Sequence, residues 1–165
     1  MPWSNHAIPP AGSSPAMLIA TQRIRVEWSH CDAAGIIFNP HYYRWMDAGT
    51  HALIQAAGFD LVGRLKRDKL FRGFPLVASN MSFMKPLYFG DITTCHSRVE
   101  RFGNTSFVVA HEFRRDDLAD PVATGSEVRV WGYAEADEPE RLRAKSMPDT
   151  LKAQLSVDGT VDVSV

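Results

Sequence analysis

Val26-Glu27-Trp28-Ser29-His30-Cys31-Asp32-Ala33-Ala34-Gly35-Ile36-Ile37-Phe38-Asn39-Pro40-His41-Tyr42-Tyr43-Arg44-Trp45-Met46-Asp47 carries a strand end, a loop of small and polar residues, and a helix start in one run. Arg23–Trp28 alternates strictly, with Ile24, Val26 and Trp28 on one face, as a half-buried strand does. Asn39-Pro40 begins a helix: Asn is a favoured N-cap, and proline at the first helical position gives up only an N–H that has no intrahelical partner. Tyr42, Trp45, Met46, Gly49, Leu53 and Ala56 then fall near helical spacing on one face, and Gly58 is a natural stop. A helix over about Pro40–Ala57 follows, with something large expected to pack over its glycine at position 49.

Downstream, residues 60–74 read as a short helix and a loop. After Pro75 the chain turns to β character: Leu76–Met84, Ile92–Glu100, the alternating run around Phe107–Arg114, and Val122–Tyr133, whose apolar or small positions are Val122, Thr124, Ser126, Val128 and Val130. One early strand, one long helix and a meander of about four strands is an α+β pattern, an antiparallel sheet of about five strands with the helix laid across one face. No GxGxxG or GxxxxGK occurs, so a parallel nucleotide-binding sheet is not expected.

The 165 residues fit one domain, read as 17–165, preceded by a Pro- and Ser-rich stretch over residues 1–16 that reads as a flexible extension. A 45% apolar and 22% charged composition is ordinary for a globular fold, and a net charge of -1 offers no bulk attraction to nucleic acid or anionic membranes. Two cysteines make no disulfide framework, no secretory leader or membrane-length apolar run is seen, and a cytoplasmic protein is expected. The histidines show no metal-ligand spacing, and neither a metal nor a cofactor is expected.

Chemistry concentrates before the long helix. A helix N-terminus offers unpaired N–H groups and partial positive charge, so Asn39 and His41 can polarise a carbonyl, while Asp32, on a loop turned by Gly35, supplies a carboxylate upstream. Asp47 inside the helix is a rival carboxylate, read as a polar or interface contact. His30 either orients Asp32 or faces water. Cys31 reads as a small packing residue. Trp28, Phe38, Tyr42, Trp45, Phe83 and Phe107 read mostly as core, with an aromatic acyl pocket as the alternative. Arg101, Arg141, Arg143 and Lys145 are either phosphate ligands or ordinary surface charges.

The opening run, together with Phe89-Gly90-Asp91, Asn104-Thr105-Ser106-Phe107 and Glu140-Arg141-Leu142-Arg143-Ala144, resembles the 4-hydroxybenzoyl-CoA thioesterase family. That resemblance implies a hotdog fold, dimers or tetramers with active sites between subunits, and hydrolysis of acyl- or aroyl-CoA. It implies Asp32 as nucleophile or general base and the helix N-terminus at Asn39 as the carbonyl clamp. It further implies substrate contacts at Gly35, Phe38, His41 and Trp45 and CoA contacts at Thr105, Ser106, Arg141 and Arg143. Where the family carries the first acid of a D-x-D, this chain has His30. Thioesters on acyl carrier protein, or a non-catalytic acyl-CoA-binding module, are the other readings left open.

Overall fold

The computed structural model describes residues 17–163, so the expected extension over residues 1–16 lies outside the described residues. The elements are β1 (Leu18–Arg25), a 3-10 turn (Trp28–His30), α1 (Pro40–Ala56), α2 (Leu61–Arg67), β2 (Leu76–Phe83), β3 (Ile92–Phe102), β4 (Ser106–Arg114), β5 (Ala123–Ala134), β6 (Leu142–Lys145), α3 (Asp149–Leu155) and β7 (Gly159–Asp162). The strand order is β2-β5-β4-β3-β1-β7, with β6 paired to β5. Helix α1 packs on this sheet, with Tyr42, Met46, Gly49, Thr50 and Leu53 turned inward. The α+β expectation and the long helix hold.

Five long strands match the expected number, and two four-residue strands are added to them. All pairings are antiparallel except β1 with β7, where Leu18 faces Gly159 and Thr21 faces Asp162. The parallel pair corrects a purely antiparallel reading. Helix α3 carries the chain across before β7, and a crossover of that kind is what parallel neighbours require.

Two further corrections concern the extent of the first strand and the phase of β5. The first strand begins at Leu18, five residues before the alternation marked it, because Thr21 and Gln22 are polar yet buried. The chain leaves the sheet after Arg25, so Trp28 does not join the inner face and is 76% exposed. On β5 the inward face is Ala123, Gly125, Glu127, Arg129 and Trp131, opposite to the run of small and β-branched residues. The β-branched face is half-buried instead.

Two apolar clusters sit along α1. One gathers Met46 with Val26, Leu87 and Phe113; the other gathers Leu53 and Ile54 with Phe71, Phe74, Phe107 and Trp131. Each fully buried large side chain contributes roughly 1.5–3 kcal/mol. Between the clusters the helix presents Gly49 and Thr50 to a polar layer of Ser97, His111, Glu127 and Arg129, all buried. Gly49 is tightly covered, as expected, by Ser97 and the fully buried His111. The sheet itself comes close: a Cβ at 49 would collide with Ser97 Oγ and stand 3.5 Å from His111 Nδ1.

Candidate active site

Loop 31–37 is a closed turn. The Asp32 N–H donates to the Ile36 carbonyl at 3.0 Å, the Gly35 N–H donates to the Asp32 carbonyl at 3.0 Å, and Cys31 bridges Ile37. Gly35 has φ +77°, a left-handed conformation that glycine adopts without steric cost. The Asp32 carboxylate is exposed and accepts one hydrogen bond through Oδ1, from the Ala34 N–H at 2.8 Å. The rest of the carboxylate points away from protein donors among the described residues. The loop is anchored at both ends, by Ile37 N–H to the Leu87 carbonyl and Phe38 N–H to the His30 carbonyl.

The helix start departs from the expected cap. Asn39 is itself in αR conformation (φ −45°, ψ −40°) and its side chain makes no capping bond. Residues before proline avoid αR, so this is a sparsely used conformation, held here by the loop on one side and the helix on the other. The His41 N–H, expected as a donor to substrate, donates to the Phe38 carbonyl at 3.0 Å, and the Tyr42 N–H to the Asn39 carbonyl at 3.0 Å. Among the described residues the Asn39 N–H has no hydrogen-bond partner. Of the two donors expected, one is therefore available.

Two cavities flank this helix start. One, of about 290 Å³, is bounded by Ile36, Asn39, Tyr42, Phe83, Met84 and Leu87. Its walls are apolar apart from Asn39, the Tyr42 hydroxyl and Lys85. Tyr42 is 3% exposed, and burial, with a smaller contribution from the Asp91 charge, pushes its phenol up to about 12, so it is a neutral hydroxyl at physiological pH. The other cavity, of about 480 Å³, lies between β1 and α1 and is lined by Arg23, Arg25, His30, His41, Arg44 and Trp45, among others.

The anticipated site residues are thus divided. Asn39 faces the apolar cavity, Asp32 and Gly35 lie on the exposed loop, Phe38 is 52% exposed, and His41 and Trp45 line the second cavity. His30 packs against His41 with ring centres 4.8 Å apart and planes tilted by 56°, and its Nδ1 accepts from the Glu27 N–H at 3.0 Å, so it orients its own turn and makes no bond to Asp32. Asp47 is held by Arg129, whose Nη2 donates to Oδ1 at 2.6 Å, in keeping with a polar contact. Cys31 is half-buried against the Met46 cluster.

The expected CoA contacts lie towards one end of β5 but on its two opposite edges. Ser106 begins β4, the Thr105 carbonyl accepts from the Trp131 N–H, and Arg143 on β6 lies opposite Tyr133 on the same end of β5. Arg141 and Arg143 both reach Glu135, and Arg141 also lies 3.6 Å from Glu138. The buried ion pair of Glu127 and Arg129 escaped sequence reading. Its one signal was two opposite charges spaced by two on a strand, in phase with Trp131.

Among the described residues no helix is long and apolar enough to cross a membrane. Residues 34–131 match the model of the Thioesterase superfamily. The 4-hydroxybenzoyl-CoA thioesterase of Pseudomonas sp. (strain CBS-3) is 29% identical over 131 residues, spanning 78% of this chain and 91% of that protein. Its solved structure superposes with a TM-score of 0.73 at 27% identity, covering 82% of this chain and 98% of that one. A gentisyl-coenzyme A thioesterase structure superposes with a TM-score of 0.67 at 29% identity, covering 82% and 98%.

Proposed function

Because the chain belongs to the thioesterase superfamily, whose members of known activity among its relatives hydrolyse acyl-CoA, we propose that it cleaves an acyl- or aroyl-CoA thioester with Asp32 as nucleophile or general base. Two observations support this reading: an exposed Asp32 carboxylate that accepts a single hydrogen bond on a tight turn, and, at the start of a 17-residue helix beside an apolar cavity of about 290 Å³, an Asn39 N–H with no partner among the described residues. The amide and the helix dipole stabilise negative charge on the thioester oxygen. Asp32 either attacks the carbonyl carbon, expelling CoA thiolate and leaving a mixed anhydride that water opens, or takes a proton from the attacking water. Both routes release the free acid and CoA, and neither calls for a metal or a resident cofactor.

One protomer holds only part of the expected constellation, which supports a site shared between two copies, as a dimer or a dimer of dimers. The acyl group enters the apolar cavity, Gly35, Phe38, His41 and Trp45 border the reacting end, and Thr105, Ser106, Arg141 and Arg143 hold the nucleotide. A cytoplasmic setting suits a CoA thioester. The test is a panel of acyl-CoAs followed with a thiol-detecting reagent. Asp32→Asn removes the charge and keeps the shape; kcat on the best substrate is expected to fall about a hundredfold or more, with little change in CoA affinity. Asp47→Asn is expected to keep most activity. Near wild-type turnover by Asp32→Asn would refute the assignment.

A further inference from the structure

We propose that the cleft between β1 and α1 is a binding site for a phosphate-type oxyanion, held by the guanidinium groups of Arg23, Arg25 and Arg44 and the imidazoles of His30 and His41. The cleft has a volume of about 480 Å³, ample for a phosphate carrying an organic group, and Ile24, Trp45 and Ala48 give it an apolar floor.

The basic residues lining it are weakly paired. Arg25 and Arg44 have no carboxylate within 4 Å among the described residues. Arg23 meets Asp116 only at 3.7 Å, with both side chains largely exposed, a pair worth little in water. By contrast Arg64, Arg114, Arg115, Arg129, Arg141 and Arg143 each sit against a carboxylate. Glu27 is the one acid lining the cleft, and its side chain accepts from the backbone of its own 3-10 turn.

The placement is costly to the helix. His41 and Arg44 stand in the first two turns of α1, where the dipole favours anions and disfavours cations. Burial first, then the nearby His30 and Arg44, push the His41 imidazole down from its usual range against a backbone bond to Ser29, so it is a neutral ring beside Arg44. An oxyanion in the cleft would offset the Arg44 charge and favour protonation of His41. His30 keeps a donor, since its Nδ1 accepts from the Glu27 N–H and leaves the Nε2–H to donate, while the His41 imidazole bonds the Ser29 backbone. Arginine matches phosphate geometry through paired N–H groups. This argument rests on neither Asp32 nor the Asn39 N–H, although His41 and Trp45 also border the reacting end in the thioesterase reading.

Phosphate oxygens of this kind come either from CoA itself or from free phosphate. The test is calorimetric titration of the full chain with sodium phosphate, CoA and 3′-dephospho-CoA at low ionic strength, for wild type, Arg25→Gln, Arg44→Gln, the double variant, and Arg67→Gln on α2 as control. Each single substitution in the cleft is expected to weaken binding roughly tenfold, the double variant more, and Arg67→Gln not at all. A loss confined to CoA and its analogue assigns the cleft to the substrate's own phosphates; a loss confined to sodium phosphate assigns it to a free anion. Arg44→Lys, which keeps the charge, is expected to recover most of the affinity. Binding of all three probes by the double variant at wild-type strength, or binding of none of them by wild type at millimolar concentration, would overturn the proposal. Asp32→Asn is expected to bind phosphate like wild type, which separates this site from the catalytic reading.

Discussion

Glu127 and Arg129 are 1% and 3% exposed, two residues apart on the face of β5 that meets α1. Burial alone would raise the Glu127 carboxyl, but the His111 imidazole, hydrogen bonds from Arg129 and Thr50, and the Arg129 charge outweigh it and hold the group at about 2 against an ordinary 4.5. The Thr50 hydroxyl donates at 2.7 Å; His111 Nε2 stands 3.5 Å from Oε2 without hydrogen-bond geometry, so its influence there is that of a nearby dipole. A carboxyl depressed on folding adds stability that is complete above the unfolded value and is lost as pH falls from about 4.5 towards 2. That shift corresponds to roughly 3 kcal/mol. Burial also lowers His111, so its protonation in the unfolded chain begins to erode stability as pH drops below 6.5. Urea unfolding across pH is therefore expected to show stability declining from near 6.5 and falling steeply below 4.5. Glu127→Gln should flatten the lower limb and cost about 3 kcal/mol at neutral pH, because Arg129 stays buried without its carboxylate. At Gly49, alanine should cost about 1–3 kcal/mol by overpacking against Ser97 Oγ. Combined with Ser97→Ala, the cost should be smaller than the sum of the two single substitutions, a coupling that a double-mutant cycle measures directly.

Helix α1 is where sequence reading and structure agree best, and where one detail of mechanism separates them. Its limits were legible to one residue because proline, glycine and apolar spacing act locally. Its cap was not, because whether the Asn39 side chain bonds back depends on how the 31–37 loop delivers the chain. A capping asparagine replaced by alanine loses about 1 kcal/mol; here Asn39→Ala is expected to leave the melting temperature nearly unchanged, and kcat within a few fold, because the backbone N–H survives. A large fall in kcat with intact folding would mean that the side chain takes part. The first strand was started too late, and β5 misphased, for a related reason. Thr21, Glu127 and Arg129 are polar residues made internal by partners distant in sequence, which local alternation does not register, and Gln22 is buried as well. Asp32 was legible through its loop and through resemblance, whereas the two cavities beside it, and the division of His41 from Asn39 between them, emerge only when β1, β2 and α1 are assembled.

At the scale of the whole molecule, the two rims of the sheet differ. Strand β2 is a long outer strand whose Leu76, Val77 and Phe83 are 51%, 63% and 48% exposed. Unpaired backbone and apolar side chains on one rim invite a second copy. Light scattering at micromolar concentration is expected to give a dimer or tetramer, and Val77→Lys should shift it towards monomer and lower activity in parallel. The opposite rim is closed by β7, a four-residue strand bearing Asp162, which accepts a hydrogen bond from the Thr21 hydroxyl. The consequence is one of valency. A subunit with a single adhesive rim can satisfy it against its like and then has nothing left to offer, so growth halts at a finite particle. Strip away residues 157–165 and β1 becomes a second such rim. Each subunit then has two open ends, and the same contacts that terminate assembly in the intact chain would let it propagate into filaments.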